Sequence, residues 1–352
     1  MTTLYDWIMA QKRYLPAWTW MSIAARLADF DSQMREEAFN QAERALPDIY
    51  AAIEPHADHG WPIFVQMREA SLVLEMRGDL TRAIDLAVRT LTAANRFDRP
   101  EDVALRLGAQ LLMVRCWLKV DDVGYAPVAI EMADQVATED ADKDWVYWYR
   151  MNAAWALWAL GRQDEANALL AQVQAAIPPW ISSHHRAETQ AYIAYRMRRQ
   201  AEAEALYSEA AGLFEEAGLR YSTVRCHLNR SYCLYELERP DEAIAIASQI
   251  LPRAEALGNP HYIGLAHCFW GRAALAKADH ETALHHITEA LRSYDGRGWL
   301  RDEATMAVER LEALAGLGRQ GDEEWQAGLA DAQKRIALLK STDVHERLQK
   351  LL

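Results

Sequence analysis

A small residue recurs in this chain at intervals of about forty, after a short polar turn, and is followed seven positions later by a second small or apolar residue, often with Leu next. The pairs are Ala38 with Ala45, Ala83 with Thr90, Ala126 with Ala133, Ala166 with Val173, Ala203 with Ala210, Ala243 with Ile250, and Ala283 with Ala290. The first members stand 45, 43, 40, 37, 40 and 40 residues apart, and a degraded eighth unit places Glu323 and Ala330 at a further interval of 40. A unit of this size cannot bury its apolar face alone, so the copies must stack side by side on one continuous core. A length of 352 residues then describes one elongated body rather than two globular domains.

The units are helical. Breakers fall at intervals (Gly78-Asp79, Gly161-Arg162, Pro178-Pro179, Gly258-Asn259-Pro260, Gly318-Arg319), and the stretches between them are of helix length and rich in Ala, Leu, Glu and Arg. No sustained apolar and polar alternation enriched in Val, Ile or Thr interrupts them, so the expected fold class is all-α.

The turn before the marker reads Gly78-Asp-Leu-Thr-Arg-Ala83, Gly161-Arg-Gln-Asp-Glu-Ala166, Glu238-Arg-Pro-Asp-Glu-Ala243 and Ala278-Asp-His-Glu-Thr-Ala283. This resembles the tetratricopeptide repeat (TPR) family at the turn between its two helices, where only small side chains let the antiparallel pair approach closely. The resemblance covers about Trp18 to Leu339. It departs from the family in its longer period, in Arg198 and Glu238 where Gly is usual, and in an irregular turn within Val114–Ala133. HEAT-type repeats have a similar period but do not predict the small pair seven apart. Long units of this kind are similar to the TPR arrays of bacterial signal-sensing regulators and of adaptors. The resemblance implies a right-handed superhelical solenoid of about eight helical hairpins. Its expected divisions are an N-terminal aromatic capping segment over residues 1–17 (Tyr5, Trp7, Tyr14), the solenoid over 18–339, and a C-terminal capping helix over 340–352 that buries Val344, Leu348, Leu351 and Leu352. The N-terminal aromatics, Trp18 and Trp20 among them, could equally form a docking surface. Stability should be a sum of neighbour terms, so that removing Leu219–Asn259 leaves a shorter helical protein.

In TPR proteins the first helix of each unit lines the concave surface. Counting back 18, 14, 11 and 8 positions from the marker selects one helical face. It gives Trp148, Asn152, Trp155 and Trp158; then His185, Thr189, Tyr192 and Tyr195, with Arg196 beside them; then Arg225, Asn229, Tyr232 and Tyr235; then Leu265, Phe269, Arg272 and Leu275. Such a wall of rings with Asn and Arg between them suits an extended peptide: amides hold its backbone, guanidinium groups pair with carboxylates, and rings give contact area at little entropic cost. Asn152 and Asn229 match an Asn with which the family clamps peptide backbone. An aromatic stripe at helical spacing is also what packing between repeats produces, and both readings stand at this point.

Composition excludes other classes. A net charge of −13 disfavours general binding to nucleic acid or to anionic membranes. The longest purely apolar run, Ala153–Leu160, is too short to span a bilayer, and Met1–Trp20 lacks the pattern of a secretory signal. Four cysteines without CxxC pairing fit a reducing, cytoplasmic setting. His56-Ala-Asp-His59, His184-His185 and His285-His286 lack a third metal ligand at a diagnostic spacing and read as loop or surface histidines. Asp140-Ala-Asp-Lys-Asp144 has Trp145 where a calcium loop needs Gly, and reads as an acidic loop. No phosphate loop, dinucleotide fingerprint or nucleophile elbow occurs, and Cys226 and Cys233 read as buried thiols. The expectation is therefore a non-enzymatic scaffold or adaptor without metal or cofactor, which binds a protein segment or peptide in its groove. The alternative is a ligand-responsive sensor that controls a separate effector through superhelical shape.

Overall fold

The computed structural model describes residues 4–97, 99, 102–138, 143–177 and 181–352. The acidic stretch Asp140–Asp142 and the Pro178-Pro179 breaker lie outside them, as do the side chains of Tyr5, Asp144 and Trp145. Among the described residues there is no strand. A short helix α1 (Leu4–Ala10) precedes eight hairpins: α2 (Ala17–Arg35) with α3 (Phe39–Ile53), α4 (Trp61–Leu72, extended by a π-turn over Val73–Arg77) with α5 (Leu80–Ala94), α6 (Val103–Val120) with α7 (Asp122–Thr138), α8 (Lys143–Ala159) with α9 (Gln163–Ala175), α10 (Ser183–Arg196) with α11 (Gln200–Glu216), α12 (Arg220–Glu236) with α13 (Pro240–Leu257), α14 (Pro260–Ala276) with α15 (His280–Tyr294), and α16 (Leu300–Gly316) with α17 (Glu323–Ile336). Helix α18 (Asp343–Leu351) follows and buries Val344 and Leu348 against α16 and α17, while Leu352 stays exposed.

The marker residues do what their size suggests. Ala83, Ala126, Ala166, Ala203, Ala243 and Ala283 are fully buried where the second helix crosses the first. At the α14–α15 crossing a Cβ on Gly271 would lie 2.6 Å from Ile287 Cγ1, so the backbones meet at a distance that larger side chains forbid. Two units depart from the register read in the sequence. In the first, Ala38 only caps α3 and the buried pair is Ala42 and Ile49; in the last, Glu323 and Ala330 are exposed or half-exposed and Trp325 and Ala332 take their place. Both pairs are still seven apart, so the error was one of phase and not of period.

The intra-hairpin turns share one backbone shape. Glu37, Gly78, Gly161, Arg198, Glu238, Ala278 and Gly318 all adopt left-handed φ values, from +55° to +73°. In six of these turns the amide that follows donates five residues back, as from Arg199 to Ala194 and from Arg239 to Leu234. Where Gly is absent the turn forms anyway, with the side chain strained at Cβ. Glu238→Gly should therefore raise stability by about 0.5–1 kcal/mol, checked by denaturant unfolding. The third hairpin differs: α6 and α7 are joined by Asp121 alone, in extended backbone, so the turn that looked irregular is a tight one.

The solenoid closes on itself. Turns of the first three hairpins meet the N-terminal ends of helices five or six hairpins further along. The Glu37 carboxylate accepts from the amides of Tyr221 (2.5 Å) and Ser222 (2.7 Å) at the start of α12, and Phe39 meets Tyr221 edge-on. Asn259 Nδ2, before α14, donates to the Glu75 carbonyl (2.6 Å), and Trp299 Nε1, before α16, donates to the Gly78 carbonyl (2.7 Å). The amide of Thr81 donates to Arg297 O at 3.1 Å. Asp121 accepts from the amides of Lys340 (2.7 Å) and Ser341 (2.9 Å), ahead of α18. Glycines stand where this seam leaves no room. A Cβ on Gly78 would lie 2.4 Å from His261 Cβ, one on Gly124 2.6 Å from Lys340 Cβ, and one on Gly298 2.6 Å from Thr81 Oγ1. A single apolar core accordingly runs from α4–α6 across to α12–α16.

Residues 4–16 pack on the N-terminal ends of α4 and α6. Trp7 is 0% exposed, its Nε1 donates to Asp102 Oδ1 at 3.1 Å, and its ring lies against Trp61 and Phe64. Trp20 Nε1 donates to the Ile8 carbonyl, Tyr14 stacks on His59, and Trp18 projects from α2 at 80% exposure. Among the described residues no helix is long and apolar enough to cross a membrane.

Candidate functional site

The inner face of the solenoid is built by the first helices, and α8, α10 and α12 give it its rings. Along α8 and α10 the buried positions include the small Ala153, Ala156, Ala191 and Ala194, beside the larger Tyr147, Tyr149, Leu157 and Ile193. Trp155, Trp158, Tyr192, Tyr195, Tyr232 and Tyr235 are all half-buried. Tyr195 and Tyr232 meet edge-on at 5.6 Å, and Tyr232 also contacts Tyr235 (6.1 Å) and the buried Phe269 of α14 (5.2 Å). Burial raises the hydroxyls of Tyr195, Tyr232 and Tyr235 above their ordinary range, so they are neutral hydrogen-bonding groups at any physiological pH.

Arg196 stands at the centre of the wall. Its guanidinium carbon lies 4.9 Å from the Trp155 ring, 5.1 Å from Trp158, 5.1 Å from Tyr192 and 5.4 Å from Tyr195. This is a cation held by four rings. Trp155 Nε1 donates to Asp122 Oδ2 (3.2 Å), and Asp122 in turn faces Arg301 Nε at 3.2 Å.

The other residues expected in the groove divide. Arg225 is taken up by ion pairs: its Nε and a terminal nitrogen meet the two oxygens of Glu188 at 2.6 and 2.9 Å, and Glu75 lies 3.4 Å away. Arg272 Nε donates to Glu309 (2.9 Å), which Arg347 also approaches at 3.2 Å. Asn152 is 8% exposed, and its Nδ2 donates to the Trp148 carbonyl one turn back on its own helix. Asn229 remains half-buried on α12. Trp148 lies at the outer end of α8, 39% exposed and edge-on to Tyr147. His185 sits apart at the start of α10, bonded to Ser182 Oγ and against Phe214.

Sequence reasoning missed Lys119, on the last turn of α6. Its ammonium lies 5.9 Å from the Trp155 ring and 5.3 Å from the Trp299 ring, which itself stacks on His261 at 3.7 Å. The signal was present in the spacing: Lys119 and Arg196 each stand seven residues before a marker alanine, Ala126 and Ala203, and the intervening unit has the small Ala159 there. Because the α6–α7 turn looked irregular, that helix received no register.

The histidines need a correction. His286 is buried, not on the surface; its Nδ1 shares a hydrogen with His267 Nδ1 (2.8 Å), and its ring stacks on Trp270 at 4.0 Å. Among the described residues no group of three or more His, Cys, Asp or Glu could hold a metal ion. Burial, and then the neighbouring His267 and His285, pull His286 down to about 4; burial also lowers His267, against Glu289 and Glu255. A depressed histidine contributes stability that is complete above the unfolded-state value of about 6.5 and is lost as pH falls toward the folded-state value. Unfolding free energy should therefore drop by about 2 kcal/mol on this account between pH 7.5 and 5. His286→Gln should flatten that slope in urea titrations at the two pH values.

No family model matches the chain, and none of the curated proteins does. Among solved structures the chain is similar to a Rap protein complexed with competence and sporulation factor, at 12% identity and a TM-score of 0.59 over 94% of this chain and 100% of that one. It is similar to NprR in complex with its cognate peptide NprX, at 12% identity and a TM-score of 0.54 over 82% of each chain. It is also similar to a signal-transduction ATPase with a tetratricopeptide repeat sensor from Pyrococcus horikoshii, at 11% identity and a TM-score of 0.51 over 99% of this chain and 52% of that one. With the paired helices, the small-residue crossings and the shared turn, these likenesses give the chain the fold of a TPR-type helical-repeat solenoid.

Proposed function

We propose that this protein is a non-enzymatic peptide-binding module that holds an extended segment of a protein or peptide along the inner face of α8, α10 and α12. The observation that carries the reading is the half-buried wall in which Trp155, Trp158, Tyr192 and Tyr195 surround one guanidinium and Tyr232 continues the rings onto a third successive hairpin. Rigid rings presented side by side give a chain of alternating contacts at low entropic cost. The complexes of a Rap protein with competence and sporulation factor and of NprR with its cognate peptide support it as precedents for this fold. The four cysteines are buried and free, which supports placement in a reducing, cytoplasmic setting.

A second reading, a sensor that controls a separate effector, draws support from the seam. An inner face bounded by contacts between hairpins five apart feels any ligand that prefers one curvature over another. A scaffold binds without change of shape; a sensor changes it.

The test is selection from a random linear-peptide display library against the intact protein, followed by small-angle scattering with a selected peptide. Selected peptides should lose about 1–3 kcal/mol of affinity for Tyr192→Ala. Failure to select any peptide, or selected peptides indifferent to Tyr192 and Tyr232, would sink the peptide-binding reading. A change in radius of gyration on saturation favours the sensor, and an unchanged profile the scaffold.

A further inference from the structure

The partners of the cationic side chains Lys119, Arg196, Arg225 and Arg272 separate them into two kinds. Arg225 and Arg272 are saturated, by Glu188 with Glu75 and by Glu309. Lys119 and Arg196 are not. Among the described residues no carboxylate lies within ion-pair distance of either; Arg196 has a side-chain hydrogen bond with the Tyr192 hydroxyl, and its Nε is buried without a partner. Both cations lie against the same indole, that of Trp155, at 5.9 and 4.9 Å from the ring. An interior charge left without a counter-ion costs free energy that cation–π contact offsets only in part. Arg225, Arg272 and Arg301 avoid that cost by pairing with carboxylates, whereas Lys119 and Arg196, with Arg115 one turn before Lys119 adding to the positive field, call for an anion that the chain itself does not supply.

The neighbouring carboxylates do not fill the role. Asp122 acts on Arg196 only through space and is engaged by Trp155 Nε1 and Arg301, while Glu75 is held by Arg225. Asp302, on α16, acts on Lys119 only through space, and its own burial raises its carboxyl above the usual range, which weakens it as a counter-ion. Burial likewise lowers the Lys119 ammonium, against the attraction of Glu75 and Asp302. In the hairpin between them the position equivalent to Lys119 and Arg196 is the small Ala159.

We infer that Lys119 and Arg196 form an anion-binding subsite on the inner face, centred on Trp155, that takes a carboxylate group of the bound peptide. The inference rests on the peptide-binding reading and adds to it the chemical class of one required ligand group. The carboxylate can come from an Asp or Glu side chain or from the peptide C-terminus, and either would lie against the Trp155 ring with the two cations beside it.

The peptides selected from the random library test this. The sequences should be enriched in an acidic residue at one fixed position, or should bind only with a free C-terminus. Replacing that acid by its amide, or amidating the terminus, should weaken binding to the natural protein about tenfold or more, and whichever change does so names the source. Lys119→Met should weaken the acidic peptide by a similar factor while leaving the amide version unaffected, and Lys119→Arg should restore most of the loss. Because the Met variant removes an unpaired interior charge, its melting temperature should be equal to or above that of the natural protein, which separates lost binding from lost folding. Selected peptides with no acidic position and no dependence on a free terminus would overturn the subsite while leaving peptide binding intact. Equal weakening of acidic and amide peptides by Lys119→Met would overturn it too. A library that yields no binder overturns the peptide-binding reading itself, and the subsite with it.

Discussion

Trp299→Ala is expected to lower the unfolding free energy by about 3–5 kcal/mol, the range for a large aromatic side chain removed from a packed interior. The ring is 4% exposed, stacks on His261 at 3.7 Å, and lies across from Lys119, so its removal empties a volume lined from three hairpins. It also strips the Gly78 carbonyl of its 2.7 Å donor, leaving a polar backbone group without its partner. Because this residue joins the eighth hairpin to the second, the variant should also expand in small-angle scattering, a change that a cavity inside one hairpin does not produce. The matched control is Trp148→Ala, which removes a ring 39% exposed at the outer end of α8 and should cost far less. A loss below about 1 kcal/mol at Trp299, with an unchanged radius of gyration, would mean that the two rims do not meet in solution.

The second large effect is expected at the start of the chain. Trp7→Ala removes a side chain that α1 inserts against Trp61, Phe64 and Asp102, and should cost about 3–5 kcal/mol. Asp102 keeps its ion pair with Arg99 at 2.6 Å, so the loss is one of packing and not of an orphaned charge. Residues 4–16 should then exchange amide hydrogens and be cut by protease well before the rest unfolds. Trp18→Ala, eleven residues on, deletes an indole that is 80% exposed and should lie within about 0.5 kcal/mol of the parent. Equal effects at Trp7 and Trp18 would contradict the placement of the segment. The pair bears on the two readings of the N-terminal aromatics: Trp7 is positioned as packing, and Trp18 is left available for a partner.

The contrast between these residues shows what a sequence of this kind makes legible. Helical hairpins could be read because their cause is local: a marker alanine, a polar turn before it and a small residue seven later all lie within one unit. Phase was lost at the first and last units, where the packed neighbour is not a full hairpin and the buried set shifts to Ala42 and Trp325. The ring-bearing face of α8, α10 and α12 was legible for the same local reason. Which of its cations are already paired was not, because Glu188, Glu75 and Glu309 come from other hairpins. Asn152 shows the limit most plainly. Its position matches a peptide-clamping residue, and only the structure shows that its Nδ2 donates to a carbonyl one turn back on α8. The seam was invisible, since it depends on small rotations accumulated over five units. Gly78, Gly124 and Gly298 are its traces in the sequence, and nothing about an isolated glycine says which distant backbone it must admit.

The seam also changes what kind of polymer this array is. An open solenoid is a one-dimensional chain of neighbours: units can be added, removed or frayed from an end, and the remainder keeps its structure. Here Glu37 reaches the start of α12, Gly78 the segment before α16, and Asp121 the approach to α18. Every such contact counts hairpins. Removing Leu219–Asn259 would bring each rim residue opposite the wrong partner, with Gly78 no longer facing His261, so the unit that looked dispensable in the sequence is fixed in number by geometry. Contacts between residues some 180 to 220 positions apart also tie distant hairpins to one another, so that the array should unfold as one cooperative unit rather than fray from an end. The array thus behaves as a closed spring of set length, whose repeats are alike in form and no longer interchangeable.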